Sequence, residues 1–248
     1  MTEPKAVSYY ESRKPKLLKD FDKTANLVRD FVVVGHGESF ANNLHLEARR
    51  EYEAIIPQIP YVEGPRGGML NSFLRITAQE VAVYKAMKKL GKTAPEAWEI
   101  CHKALRLRME KFPRIRRWIM SLVMNSGVLM KRMRKLAQEG KHFGFGDFEI
   151  MYVMGNGEDF DFGVDYVACG NYKLVQDLGA EEFAPYVCMS DIALSDAMNW
   201  GLIRTETLAD GCQRCDFRFK KGGKTRISSK TPEVQATIET IAAEEAAS

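Results

Sequence analysis

Hydrophobic positions recur at helical spacing through the first 140 residues of the chain and at strand spacing over much of the remainder. In residues 7–32, Leu17, Leu18, Phe21, Leu27, Val28 and Phe31 fall near one helical face between charged neighbours, which predicts a helix. The stretch V-V-V-G-H-G-E-S-F (32–40) reads either as a strand and tight turn or as a helix–helix junction with a capping residue, and the junction is favoured. A helix is predicted from His45 to Ile56, ended by Pro57 and Pro60 and followed by a Pro/Gly-rich turning segment to Leu70. Residues 72–90 form a second strong helical pattern, with Gly91 placed to end it. Thr93 then opens T-A-P-E, where a capping side chain, an early proline and a glutamate three residues on start a helix running to about Lys111.

Residues 114–138 alternate basic and apolar blocks: R-I-R-R, W-I-M-S-L-V-M-N-S-G-V-L-M and K-R-M-R-K. The apolar centre is shorter than the roughly 20 residues that span a bilayer. It fits an amphipathic helix on an anionic surface or a buried helix with solvated ends, and the buried helix is favoured. After G-K-H-F-G-F-G (140–146) the texture changes. F-E-I-M-Y-V-M-G (148–155) is a strand, and 155–169 a turn leading into another. Residues 171–184 and 190–199 are helical. L-I-R-T-E-T-L-A (202–209) and R-C-D-F-R-F-K (214–220) are strands that pair as a hairpin around D-G-C-Q. Beyond Lys224 at most a short, frayed helix is expected. The fold class is therefore α+β: a helical N-terminal part (1–140), a small antiparallel-sheet α+β domain (141–230) and a polar C-terminal tail (231–248).

Charge changes this picture little. The net +3 conceals 26 Lys+Arg against 15 Asp+Glu in residues 1–140 and 10 against 18 in residues 141–248. Opposite halves can attract one another across a domain interface or in a homo-oligomer. The basic residues are spread out and carry no recognisable nucleic-acid-binding signature, so nucleic acid is not the expected partner. The first residues lack an apolar signal segment and no run is long enough for a transmembrane helix. Five cysteines, an odd count, then point to reduced thiols and a cytoplasmic location.

Four of those cysteines lie between Cys169 and Lys220. Cys188 precedes an expected helix start near Ser190, where the helix dipole lowers a thiol's pKa; the alternative is a small buried side chain. Cys212 and Cys215 have metal-knuckle or redox-pair spacing but no second C-x-x-C or histidine pair; Cys188, Asp191 and Asp216 could complete a site and a redox role would need a helix start rather than a hairpin, so no metal is expected. Strand alternation places Asp216 opposite Cys215, so at most one of them points into a given pocket. Arg204 has the forked guanidinium that grips a carboxylate, or else forms a surface ion pair. Asp191 follows Cys188 closely. His102 and His142 are the better general bases among the four histidines, although nothing in the sequence brings them to Cys188. The H-G-E at 36–38 is similar to phosphohistidine-type phosphatases but has Gly35 where they carry an arginine.

Several segments together resemble the L-2-amino-thiazoline-4-carboxylic acid hydrolase family. They are the Tyr9/Tyr10 region, Y-E-A-I-I-P-Q-I-P-Y-V-E-G (52–64), A-V-Y-K-A-M-K-K-L-G-K-T-A-P-E-A (82–97), F-D-F-G-V-D-Y-V-A-C (160–169), Y-V-C-M-S-D (186–191) and R-T-E-T-L-A-D-G-C-Q-R-C-D-F-R (204–218). Glu63 stands where the family more often has a second glycine before Gly64. The resemblance implies a helical part followed by an α+β part, a small-molecule substrate and hydrolytic opening of a cyclic amidine to S-carbamoyl-cysteine, with no cofactor. Joined to the residue reading, it makes Cys188, Asp191 and Asp216 the catalytic candidates and Arg204, Cys215 and Tyr61 the substrate-binding ones. Either a Cys188 thiolate attacks the amidine carbon or a carboxylate-activated water does so. The competing reading is a vinyl-reductase-domain-like protein that binds a small molecule without transforming it.

Overall fold

The computed structural model describes residues 9–124 and 126–246, and its chain divides into two compact units. Residues 7 and 8 of the first expected helix, Asn125 of the apolar block and the last two residues of the expected tail lie outside the described residues. The first unit takes Met1–Arg108, Phe145–Asp147 and Gly170–Val187, and the second takes Met109–Gly144, Phe148–Cys169 and Cys188–Ser248. The secondary structure changes from helix to strand near residue 140, but the units interleave along the chain.

In the first unit, α1 (Lys14–His36) and α2 (Glu38–Ile55) meet at Gly37, confirming a helix–helix junction at 32–40. Gly37 has φ +86°, in the region that favours glycine, and its N–H caps Val33 at 2.8 Å. The helix α3 (Gly67–Lys89) packs against α2. Their apolar stripes supply the core: Leu17, Phe21 and Val28 of α1, Leu44, Tyr52 and Ile55 of α2, and Leu74, Val81 and Met87 of α3. Phe21 stacks on Tyr52 with ring centroids 5.1 Å apart. Asn71 closes the preceding turn by accepting from the Val62 N–H and donating to the Val62 carbonyl, both at 2.8 Å. A side chain at Gly67 would meet that carbonyl at 2.3 Å, so only glycine fits there.

Helix α4 (Ala94–Glu110) starts at the expected capping box. The Thr93 N–H donates to Glu96 Oε2 at 2.9 Å, and the Glu96 N–H returns to Thr93 Oγ1 at 3.5 Å. The Thr93 N–H and the Lys92 ammonium hold the Glu96 carboxyl down at about 2.

The second unit contains α5 (Arg114–Met124) and α6 (Gly127–Glu139), with Ser126 Oγ capping α6 by accepting from the Leu129 N–H. The favoured buried helix is not what forms here. Ile115, Trp118, Ile119, Leu122 and Val123 are all exposed, so this apolar stripe does not pack on the unit. The strands are β1 (Phe143–Phe145), β2 (Phe148–Met154), β3 (Phe162–Ala168), β4 (Leu202–Arg204), β5 (Cys215–Phe219) and β6 (Arg226–Ile227). Among the described residues they form one sheet in the order β1-β2-β3-β5-β4-β6, antiparallel at β2–β3, β3–β5 and β4–β5 and parallel at β4–β6.

The helices of the second half are α7 (Gly170–Asp177) in the first unit, the short α8 (Ala184–Cys188), α9 (Ser190–Met198) and α10 (Pro232–Ala246). The last of these is longer than the short frayed helix expected, because Val234 and Ile238, one turn apart, are both buried. The fold is α+β, as the hydrophobic pattern predicts.

Candidate functional site

The β3–β5 register sorts the candidates. Side chains directly opposite one another share a face, and the face alternates along each strand. Phe162 pairs with Phe219, Val164 with Phe217 and Tyr166 with Cys215, on one face. Gly163 pairs with Arg218 and Asp165 with Asp216, on the other. On β4, Leu202 lies opposite Phe219 and so joins the first face, as does Arg204 two residues on. The guanidinium of Arg204 stands 5.5 Å from the Phe217 ring centre. The first face thus carries an aromatic row with Cys215, Tyr166 and Arg204 at one end.

Cys188 and Asp191 reach that end from the α8–α9 corner. Arg204, only 2% exposed, donates through Nη1 to the Cys188 carbonyl at 2.9 Å and to Asp191 Oδ2. The guanidinium of this ion pair is buried and its carboxylate about a quarter exposed, at 27%, so it is not the surface pair that the sequence allowed. Burial pushes the Asp191 carboxyl above the usual aspartate range, with Arg204 pulling it back in part. Burial is the largest single influence and would loosen the Arg204 proton, but Asp191 together with Cys188, Cys215 and Asp210 outweighs it and the guanidinium stays charged. Its Nε is buried with no hydrogen-bond partner among the described residues.

The thiols depart from expectation. Cys188 ends α8 and Met189 precedes the first turn of α9, so the corner lies where the sequence puts it. Yet burial drives the Cys188 thiol far up and Arg204 offsets only part of this, so the expected activation by a helix start does not prevail. Cys215, 5% exposed, accepts from the Leu208 N–H at 3.3 Å and is pushed by burial to about 12. Cys169 and Cys215 both act on Tyr166, a residue that sequence reasoning did not select. The available signal was its place in V-D-Y-V-A-C, one position after an aspartate and three before a cysteine. Burial raises the Tyr166 phenol, so it is a neutral donor.

Asp216 lies on the opposite face and is committed to the loop after β4. Its Oδ1 accepts from the Thr205 and Glu206 N–H groups at 2.8 and 2.6 Å, and its Oδ2 from the Thr205 hydroxyl at 2.8 Å. On the same face Asp165 pairs with Arg218 at 2.6 Å and Arg214 at 3.5 Å, and Arg214 reaches Glu206 at 3.2 Å. Gly163 is needed there, because a side chain would meet Arg218 Cδ and the Phe217 carbonyl at 2.8 Å.

Tyr61 belongs to the first unit, where it packs on Tyr9 at 4.2 Å between centroids beside a small recess with Asn71 and Arg75. His102, also in the first unit, stacks on Trp98, and burial lowers its pKa to about 4. His142 pairs with the exposed Glu149. None of the cysteines forms a disulfide, and among the described residues no three His, Cys, Asp or Glu side chains converge as a metal site would require.

This end of the sheet face thus joins an ion pair with a buried guanidinium to an aromatic row, within an α+β fold. The L-2-amino-thiazoline-4-carboxylic acid hydrolase family matches residues 71–219, and the chain belongs to that family. The match takes in Cys188, Asp191, Arg204, Cys215, Asp216 and Tyr166 but stops short of Tyr61 and the 52–64 segment. No curated protein and no solved structure matches the chain.

Proposed function

We propose that the protein hydrolyses a ring C–N bond in a small cyclic amidine, with Asp191 as the general base for water. The observation that carries this reading is the Asp191–Arg204 pair: a carboxylate held by a buried guanidinium, its basicity raised by burial, on the face that carries the aromatic row. Asp191 takes a proton from water, and the water oxygen bonds to the amidine carbon as the C=N electron pair moves onto nitrogen. Asp191 gives its proton to the ring nitrogen; collapse of the tetrahedral adduct then forms the C=O bond and breaks the ring C–N bond while Asp191 passes the adduct's hydroxyl proton to the departing nitrogen, which leaves as a free amine carrying both protons of the water. The product is the substrate plus one water. With the aminothiazoline carboxylate of the family's name it is S-carbamoyl-cysteine.

The other residues take supporting parts. Arg204 positions Asp191 and the Cys188 carbonyl, its Nε being the donor left for a substrate carboxylate. Cys188 and Cys215 line the site as neutral thiols, since a thiolate nucleophile would have to overcome the burial that raises both. Tyr166 supplies a neutral hydroxyl. Asp216 holds the 205–206 loop from the far face.

The test is mass spectrometry of the purified protein with the aminothiazoline carboxylate and related cyclic amidines and lactams. A product one water heavier, lost in Asp191→Asn, supports the reading. Saturable binding without turnover would make the protein a small-molecule carrier or sensor instead.

A further inference from the structure

The α5–α6 segment is built the wrong way round for a helix that only packs inward. Ile115, Trp118, Ile119, Leu122 and Val123 follow the i, i+3, i+4, i+7, i+8 spacing of a single helical face. That face is open to solvent, with Trp118 and Ile115 each 61% exposed, and Val128 at the start of α6 is 82% exposed. The Nε of Arg117, off that stripe, is buried with no hydrogen-bond partner among the described residues. From Lys111 to Gln138 the sequence has eight Lys+Arg and no Asp or Glu. These eight account for most of the basic excess of residues 1–140. Arg114, Lys131, Arg132, Arg134 and Lys135 are exposed.

We propose that α5 and α6 form a docking face for an anionic phospholipid bilayer. An exposed apolar stripe with a large aromatic side chain, flanked by basic groups and with no acidic residue until Glu139 at the far end of α6, matches the boundary between acyl chains and anionic headgroups. No helix of the described residues is long and apolar enough to cross a membrane, so α5 lies along the surface. A second copy is the poorer occupant, because two such segments face to face would bring like charges together. This docking is independent of the chemistry at Asp191.

The experiment is cosedimentation of the full chain with phosphatidylcholine vesicles, with and without about 30% phosphatidylserine. Phosphatidylserine should raise the bound fraction at least about tenfold, and about 0.5 M salt should abolish the increase. Trp118→Ser and the pair Lys131→Glu/Arg132→Glu replace exposed side chains, and each should cut binding about tenfold with an unchanged circular dichroism spectrum. Equal binding to both vesicle types, or full binding by either variant, overturns the proposal. So does a self-association that light scattering detects and Trp118→Ser abolishes in a protein that ignores vesicles.

Discussion

The two faces of the sheet in the second unit each carry carboxylates and arginines, but only one leaves chemical capacity unspent. On the far face Asp216 accepts from three donors and Asp165 from two arginines, so these carboxylates are consumed by structure. On the near face Asp191 has Arg204 as its ion-pair partner, is raised by burial and sits beside thiols kept neutral. Acidic residues alone do not mark a site. A carboxylate becomes useful when its surroundings oppose its charge without fully satisfying it.

The comparison breaks most directly through Asp191→Asn, which should lower turnover about a thousandfold. Asp216→Asn should lose less than about tenfold in turnover while lowering the melting temperature. Equal losses in kcat would mean that both faces contribute to the reaction. In stability the largest effect belongs to the Arg204–Asp191 pair, whose guanidinium is buried. Arg204→Met should cost about 3–5 kcal/mol by stranding Asp191, and Arg218→Met about 1–2 kcal/mol, since Asp165 keeps Arg214. Urea denaturation of both variants measures the gap.

The pH profile follows from the sign of the Asp191 shift. The carboxylate is the active form and burial favours the neutral acid. The acid limb of kcat/KM should therefore fall at a pH above the usual aspartate range. A limb at or below that range would remove Asp191 as the base.

Cys188→Ala should retain turnover within about tenfold, and Cys188 should alkylate more slowly than free glutathione at pH 8, because its thiol is protonated. Loss of all turnover with the fold intact would restore the nucleophile reading. The smallest effect is a control away from the sheet, at the satisfied carboxylate of Glu96. Thr93→Ala should cost about 1 kcal/mol at neutral pH. The share due to Glu96 is present above its ordinary pKa and disappears as pH falls through about 2, since the folded state holds that carboxyl low. A thermal-melt series in pH reads it.

Much of the fold was legible because local signals repeat. Gly37 between two apolar helical stripes, the Thr93–Glu96 box and Gly91 after α3 each act within a few residues, and each forms as the chain predicts. The site was legible only as a set of residue types. The block from Cys169 to Asp216 does contain the cluster, and strand alternation alone separates Asp216 from Cys215. That Cys188 is a raised thiol was not readable, because the start of α9 favours the thiolate locally while burial, a property of everything packed around it, opposes it. The α5 stripe failed for the same reason: periodicity shows that a face is apolar, not which way it points.

By itself, then, the sequence determined the helical stripes, the caps and turns, the strand alternation and family membership, all of which depend on neighbours a few residues apart or on ordered motifs. Only the tertiary structure decided that Arg204 is buried against Asp191 and Cys188, that Tyr166 stands opposite Cys215, and that the apolar side of α5 faces solvent. Those outcomes depend on desolvation and on register between segments far apart in the chain, and no local pattern encodes them.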